Sequence, residues 1–306
     1  MSLLIVGSVA LDTIETPAGR ADRALGGSAS YAALASRLFA PTAILGVVGE
    51  DFPLEYVALL HGAGIDTAGL ETVPGGKTFH WAGRYHPNMN ARDTLLTEIN
   101  VLGTHHPAVP EPLRGSDFLF LANTSPELQL QTLSEMRRPR LVLADTMNLW
   151  IETQREAVWR LIAQTDVMLI NESEAQMLCD TASLVRAGRL MLEGGAKRVI
   201  IKKGEHGCLM LTRETLFTAP AFPLETVCDP TGAGDSFAGA YLGFLAQAGS
   251  LEEPAHRAAI AAATALASYN CEEFGVGRLA RLTREEVTAR AEALREMTRF
   301  DGVGPA

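Results

Sequence analysis

Residues 228–237 read Cys228-Asp229-Pro230-Thr231-Gly232-Ala233-Gly234-Asp235-Ser236-Phe237 and run straight into a segment, 234–248, whose apolar residues recur at helical spacing. Small residues at a helix start let the backbone N–H groups of Gly232, Ala233 and Gly234 converge on an anion at the positive end of the helix dipole. Asp235, in the first turn, is a carboxylate placed to take the proton of a hydroxyl attacking phosphorus. A base beside an anion hole points to phosphoryl transfer. The same residues also spell a tight turn followed by an acid that the dipole favours, and the stretch alone does not choose between the two. Rival glycine motifs are easier to dismiss. A dinucleotide fingerprint anchored at Gly232 requires glycine where Phe237 stands. Gly76-Lys77-Thr78 imitates the end of a Walker-type phosphate loop, but its first glycine is replaced by Glu71. Gly26-x-Ser28-x-Ser30 lacks the second glycine of a nucleophile elbow.

Outward from this stretch, apolar runs at 3–9, 43–48, 118–122, 141–144, 167–170 and 199–201 read as buried strands. Helical patterns at 127–137, 152–163 and 173–193 fill gaps between them, and another opens at Gly26-Gly27-Ser28, with Ser28 as candidate N-cap. Strands alternating with helices predict an α/β fold around a largely parallel sheet covered on both faces. Residues 71–106 break the rhythm with β-type alternation and turn residues, and are expected to form an inserted β-rich flap. Three helices, at 234–248, 253–269 and 283–297, close the chain, the last announced by the capping-box pattern Thr283-x-x-Glu286.

The 306 residues suit one large α/β domain with an appendage, or two small domains. With 47% apolar and 20% charged residues the chain is globular rather than disordered or fibrous. Lys plus Arg number 26 against 36 Asp plus Glu, a net charge of −10 that repels nucleic-acid backbones and anionic membranes. Neither partner is expected. Cys179, Cys208, Cys228 and Cys271 are too scattered for a zinc site or a disulfide framework. Residues 1–9 lack the features of a signal peptide and no apolar run has membrane-spanning length, so the expected location is the cytoplasm.

Asp229-Pro-Thr-Gly-Ala-Gly-Asp235-Ser-Phe closely resembles the C-terminal signature of the ribokinase-like (PfkB) carbohydrate kinases. Gly26-Gly27-Ser28-Ala29, followed by a helix and by Val47-Val48-Gly49-Glu50-Asp51, resembles the N-terminal one. Gly7-Ser8 with Asp12, Asn171-x-x-Glu174 and Lys203-Gly204-x-x-Gly207 extend the likeness over nearly the whole chain. The resemblance implies a three-layer α/β/α domain over 1–306, with a mostly parallel central sheet and a small β lid drawn from about 12–25 and 71–106. It implies an ATP- and Mg²⁺-dependent kinase acting on a hydroxyl of a sugar or polyol, with a homodimer through the lid as a family option.

Residue by residue, the resemblance makes Asp235 the general base and the amides of Gly232, Ala233 and Gly234 the anion hole. Asn171 and Glu174 match the motif that positions ATP phosphates and hydrated Mg²⁺, Glu174 acting through water; read without the family, they are an ordinary helix start. Lys202, Lys203, Gly204 and Gly207 line the nucleotide site. Many family members carry Thr at the position of Lys202, so its ammonium either meets a phosphate or is a solvated surface charge. Asp229 and Thr231 match ligands of a monovalent cation in potassium-activated members. On the acceptor side Asp12 matches the carboxylate that holds sugar hydroxyls, Gly27 and Ser28 bring backbone close to substrate, and Asn123 is within range of the same pocket. Ala10 and Tyr31 depart from the family, each standing where Asn is usual, and this argues against ribose itself as acceptor.

Phe79, Trp81 and Tyr85 of the flap form either a packed strand face or a ligand cage, and with Tyr31 they would suit a nucleoside acceptor by stacking on its base. His80, His86 and Asp93 lack the spacing of a metal site. A non-catalytic ligand-binding protein on the same fold is the rival from outside the enzymes, and the intact Asp235 and glycine loop argue against it.

Overall fold

The computed structural model describes residues 1–299. Its first half runs β1 (Leu3–Val6), β2 (Ala10–Thr16), β3 (Gly19–Gly26), α1 (Ser28–Ser36), β4 (Thr42–Gly49), α2 (Leu54–Gly62), β5 (Asp66–Val73), β6 (Phe79–Tyr85), β7 (Arg92–Glu98), β8 (Phe118–Leu121) and α3 (Pro126–Glu135). Then come β9 (Leu141–Ala144), α4 (Asn148–Thr153), α5 (Arg155–Ile162), β10 (Val167–Asn171), α6 (Glu172–Cys179), α7 (Leu184–Glu193) and β11 (Arg198–Lys202). The chain continues through β12 (Cys208–Leu211), β13 (Leu216–Ala219), α8 (Ala233–Ala248), α9 (Glu253–Asn270), α10 (Gly277–Arg281) and α11 (Arg284–Met297). Nine strands form one sheet in the order β13-β12-β11-β10-β9-β8-β1-β4-β5, parallel from β11 to β5. The hairpin β12–β13 adds an antiparallel edge that the sequence reading missed.

Because the central strands are apolar on both faces, alternate residues feed two cores. Leu3, Ile5, Phe118, Phe120, Leu169 and Ile200 pack toward α1, α8 and α9. Leu4, Val6, Leu119, Leu121, Ile170 and Ile201 pack toward α5, α6 and α7. The result is three layers, helix on sheet on helix.

Two local expectations are corrected. Ser28 is not the N-cap of α1: Gly27 is, and Ser28 is already helical, its hydroxyl bound instead to the Ser8 N–H at 3.2 Å. The pattern at 173–193 is two helices, because Asp180 adopts a left-handed conformation that ends α6, and the Ser183 side chain then caps α7. The Thr283–Glu286 capping box is present at α11 as read.

A second sheet, in the order β3-β2-β6-β7, stands apart from the large one. Of the 71–106 stretch, 71–73 finish β5 at the edge of the large sheet, while β6 and β7 join β2 and β3. Asp51 fastens the entry to β6: its Oδ1 accepts from the Thr78 N–H at 2.7 Å and the Thr78 hydroxyl at 2.8 Å, and its Oδ2 accepts from Arg23 of β3 at 3.0 Å. Thr78, which imitates the end of a phosphate loop in the sequence, is therefore an anchor at the entry to the second sheet.

Candidate active site

Open α/β sheets bind ligands beyond the carboxyl ends of their strands, where neighbouring connections diverge. Here β1 lies between β8 and β4, and the loops after β1, β8, β9, β10 and β11 bring Ser8, Asn123, Asp145, Asn171 and Lys202 to one edge. The N-terminus of α8 faces the same edge.

Gly232 caps α8 in the left-handed region, φ 76°, and no side chain caps the helix there. Only glycine fits, because a Cβ would lie 2.3 Å from the Tyr31 ring beneath it. The Ala233 N–H is engaged by the Pro230 carbonyl at 3.2 Å, whereas among the described residues those of Gly232 and Gly234 are unengaged. An uncapped helix start with open amides is an anion site. Asp235 lies in its first turn; burial raises its pKa, while the charges of Lys202 and Arg92 pull it back. Thr231 is immobilised from several sides: its N–H donates to Asp229 Oδ1 at 2.9 Å, its hydroxyl to Tyr85 at 3.2 Å, and its carbonyl accepts from Asn270 at 2.7 Å. The other Asp229 oxygen accepts from the Gly275 N–H at 3.0 Å, so this buried carboxylate ties the loop to the chain after α9.

At the end of β10, Asn171 and Glu174 form a reciprocal capping box on α6. Asn171 Oδ1 accepts from the Glu174 N–H at 2.8 Å, and Glu174 Oε2 accepts from the Asn171 N–H at 2.9 Å. Glu174 is buried, and burial raises its pKa against the pull of Lys202. Lys203 N–H closes a turn on the Gly207 carbonyl at 2.7 Å. Gly204 lies against Asn90, whose amide donates to Glu205 at 3.1 Å, so the β6–β7 connection reaches the expected nucleotide loop.

Asp145, just past β9, was not singled out in the sequence. It is 4% exposed, its Oδ1 has no hydrogen-bond partner among the described residues, and burial first, then the charge of Asp235, drives its pKa well above the carboxylate range. Buried carboxylates that feel one another, one of them orphaned, suit a cation. Among the described residues no three acidic, His or Cys side chains form a ready cage. That donor set fits Mg²⁺, which keeps several waters and is held by one or two carboxylates together with substrate phosphates.

In the second sheet Asp12 is buried in β2, beside Gly26, where a Cβ would fall 1.9 Å from Asp12 Oδ2. Burial, reinforced by the charge of Asp229, raises its pKa to about 7. Gly27, φ 90°, lets the chain pass against the Ser8 carbonyl. Asn123 spends its side chain on Trp150, accepting from the indole N–H at 3.0 Å, and on Met147. Tyr31 is 1% exposed, with its ring against Gly232 and its hydroxyl unpartnered among the described residues.

A model of the pfkB family of carbohydrate kinases matches residues 3–276. The chain belongs to that family. It is an ATP-dependent kinase of the sugar and nucleoside type. This PfkB chain is 29% identical to the cytidine kinase of Thermococcus kodakarensis over 259 residues, 83% of this chain and 91% of that protein. It is 28% identical to the deoxyribokinase of Salmonella typhimurium over 268 residues, covering 82% and 84%. Its fold matches Burkholderia thailandensis nucleoside kinase in complex with inosine, with TM-score 0.78 and 21% identity over 95% and 98% of the two chains. It also matches an Escherichia coli chain in complex with ATP and Mg²⁺, with TM-score 0.77, 21% identity and coverage of 95% and 99%. The architecture is thus the ribokinase-like three-layer fold, with a small second sheet.

Besides Asp145, the PfkB site contains a residue of the second sheet that sequence reasoning missed. Arg92 of β7 lies 5.6 Å from the Trp81 ring centroid, and its charge is felt at Tyr85, Asp12, Glu174 and Asp235. Asp145 carried a readable signal, a carboxylate directly after a parallel strand. Arg92 carried none, because an arginine in a polar flap looks like any solvated charge.

Proposed function

We propose that this kinase transfers the γ-phosphoryl group of ATP to a hydroxyl of a ribosyl-type acceptor, with Asp235 as general base. The observation that carries this is Asp235 in the first turn of an uncapped helix whose Gly232 and Gly234 amides are open. Asp12 accepts hydrogen bonds from acceptor hydroxyls, Gly27 and Ser28 line the same wall, and the attacking hydroxyl passes its proton to Asp235. The open amides, with that of Ala233 at the edge of the hole, receive charge developing on the phosphoryl oxygens. Asn171, Lys203, Gly204 and Gly207 shape the nucleotide loop. Mg²⁺, when bound, would neutralise the phosphates from the side of Glu174, through water, and Asp145. Asp229 and Thr231 are proposed to serve a monovalent cation as well as the loop, so K⁺ should raise turnover above that in K⁺- and Na⁺-free buffer; equal rates remove that role. The second sheet acts as the lid that excludes water.

Among acceptors, one observation favours a nucleoside. Trp81 pairs in register with Asp12 across β2 and β6, and Arg92 lies over its indole. This places an aromatic and cationic surface beside the carboxylate that holds the sugar, as base stacking requires. ADP release measured over cytidine, inosine, ribose, deoxyribose and polyols tests both levels. Turnover of nucleosides above free sugars supports the stacking surface, free sugars alone would leave it as packing, and a silent panel with tight ligand binding would replace the kinase reading by a sensor.

A further inference from the structure

A cation does not belong at the positive end of a helix unless an anion lies between them. Lys202 is such a cation. A methyl group on Gly234, in the first turn of α8, would lie 2.7 Å from Lys202 Nζ. Among the described residues this half-buried ammonium forms no ion pair and no hydrogen bond. It is nevertheless held in place. Lys202 ends β11, in register with Asn171 at the end of β10, and its charge is felt at Asp145, Glu174 and Asp235. Acids lie around it without an ion pair to it, the first turn of α8 lies against it, and among the described residues Asp145 Oδ1 in the same cluster is unpartnered. The vacant partner of both the ammonium and the amides is one group with several anionic oxygens.

We propose that Lys202 is a catalytic residue, its ammonium binding a non-bridging oxygen of the phosphoryl group in transit, opposite the open amides of α8. This rests on the phosphoryl-transfer reading above and extends it: the anion hole is two-sided, amides on one wall and an ammonium on the other. In the step itself the acceptor oxygen bonds to the γ-phosphorus, and the bond to the β–γ bridging oxygen breaks with its electron pair leaving on ADP. The acceptor proton goes to Asp235, and Lys202 keeps its protons throughout. Charge spread over the phosphoryl oxygens is greatest in flight, so a cation there favours the transition state over bound ATP.

The test compares Lys202→Met and Lys202→Arg with the unaltered enzyme by calorimetry, using ADP–Mg²⁺ with and without aluminium fluoride as a mimic of the phosphoryl group in flight, alongside steady-state kinetics. Lys202→Met should leave ADP–Mg²⁺ affinity within about threefold while removing at least about tenfold of the tightening that fluoroaluminate adds. Its kcat should fall about 10²- to 10³-fold with acceptor KM within about threefold. Lys202→Arg, which keeps the charge, should restore most of the tightening and of kcat, and it serves as the decisive comparison if the Met variant melts early. Equal loss of ADP–Mg²⁺ and fluoroaluminate affinity, or full turnover in Lys202→Met, overturns the proposal. An enzyme that turns over no acceptor yet loses its fluoroaluminate tightening in Lys202→Met would overturn the acceptor reading and leave this one standing. Full kinase activity indifferent to Lys202 would do the reverse.

Discussion

The two halves of the proposed active site, one for phosphate and one for acceptor, are assembled differently. The phosphate half comes from segments short in sequence: the 229–235 loop, the Asn171–Glu174 helix start and the end of β11. Backbone amides and a capping box do much of its work, and these follow from local residue type. The acceptor half joins β2, β6 and β7 of the second sheet to the loops after β1 and β8. Its groups are side chains brought together from distant positions, among them Asp12, Trp81 and Arg92. Local geometry should therefore make the first half intolerant of small changes, and the second tunable.

The largest effect is expected at Asp235. Asp235→Asn should lower kcat by at least about 10²-fold while ATP still binds; near-normal turnover would break the assignment of the base. Gly232→Ala comes next, since it requires both a strained left-handed backbone and space occupied by the Tyr31 ring. It should lower the melting temperature by several degrees, with a loss of about 1–3 kcal/mol, and reduce kcat more than acceptor KM. A variant as stable and active as the parent would remove the claim that the phosphate half is locally rigid.

The acceptor half should respond in KM. Asp12→Asn replaces a charged acceptor of hydrogen bonds and should raise acceptor KM about 10- to 100-fold with little change in ATP KM. Burial raises the Asp12 pKa to about 7, far above the ordinary aspartate value, so the ionised form proposed to bind hydroxyls is lost as pH falls through 7. Acceptor kcat/KM should drop toward tenfold per unit below that point, a dependence that Asp12→Asn abolishes. The stability sign is opposite. Between the unfolded and folded pKa values the native state holds the extra proton, so ionising Asp12 destabilises the fold as pH rises. Asp12→Asn should raise the melting temperature at pH 8 and leave it unchanged at pH 4. The smallest effect is expected from Tyr85→Phe, which removes one hydrogen bond between the second sheet and Thr231. A two- to tenfold rise in acceptor KM is expected, corresponding to about 0.5–1.5 kcal/mol. A kcat loss as large as that of Asp235→Asn would mean that the two halves are not separable.

The exposed side chains of Leu95, Leu96 and Ile99 lie in or just after β7, the edge strand of the second sheet. We propose that a second copy of the chain covers them. Leu96→Asp should then shift a concentration-dependent dimer toward monomer in light scattering, whereas a monomer at all concentrations before mutation would exclude this role.

The fold and the phosphate half were legible because they depend on short-range rules. Apolar runs of strand length, helical spacing and a glycine loop entering a helix specify their neighbours within a few residues, although 229–235 taken alone admits a tight turn as well as an anion site. Asp145 was legible in principle from its place after β9, but only the packed structure shows its orphaned oxygen. Lys202 illustrates the boundary. Its sequence position admitted a phosphate contact or a surface charge, and only the packed structure puts its ammonium against Gly234. Tyr31 had been read as an aromatic face for substrate; the structure puts its ring under Gly232, where it supports the loop.

By itself, the sequence determined a three-layer α/β kinase fold and marked the residues proposed as its base, anion hole and nucleotide loop, since strand-to-helix junctions carry their geometry within a few residues. Tertiary structure decided which side chains face one another across that frame: Lys202 beside Gly234 of α8, its charge felt at Asp145, and Arg92 over Trp81. Those contacts depend on sheet register and on where β6 and β7 fold back. Sequence spacing does not encode such long-range placement.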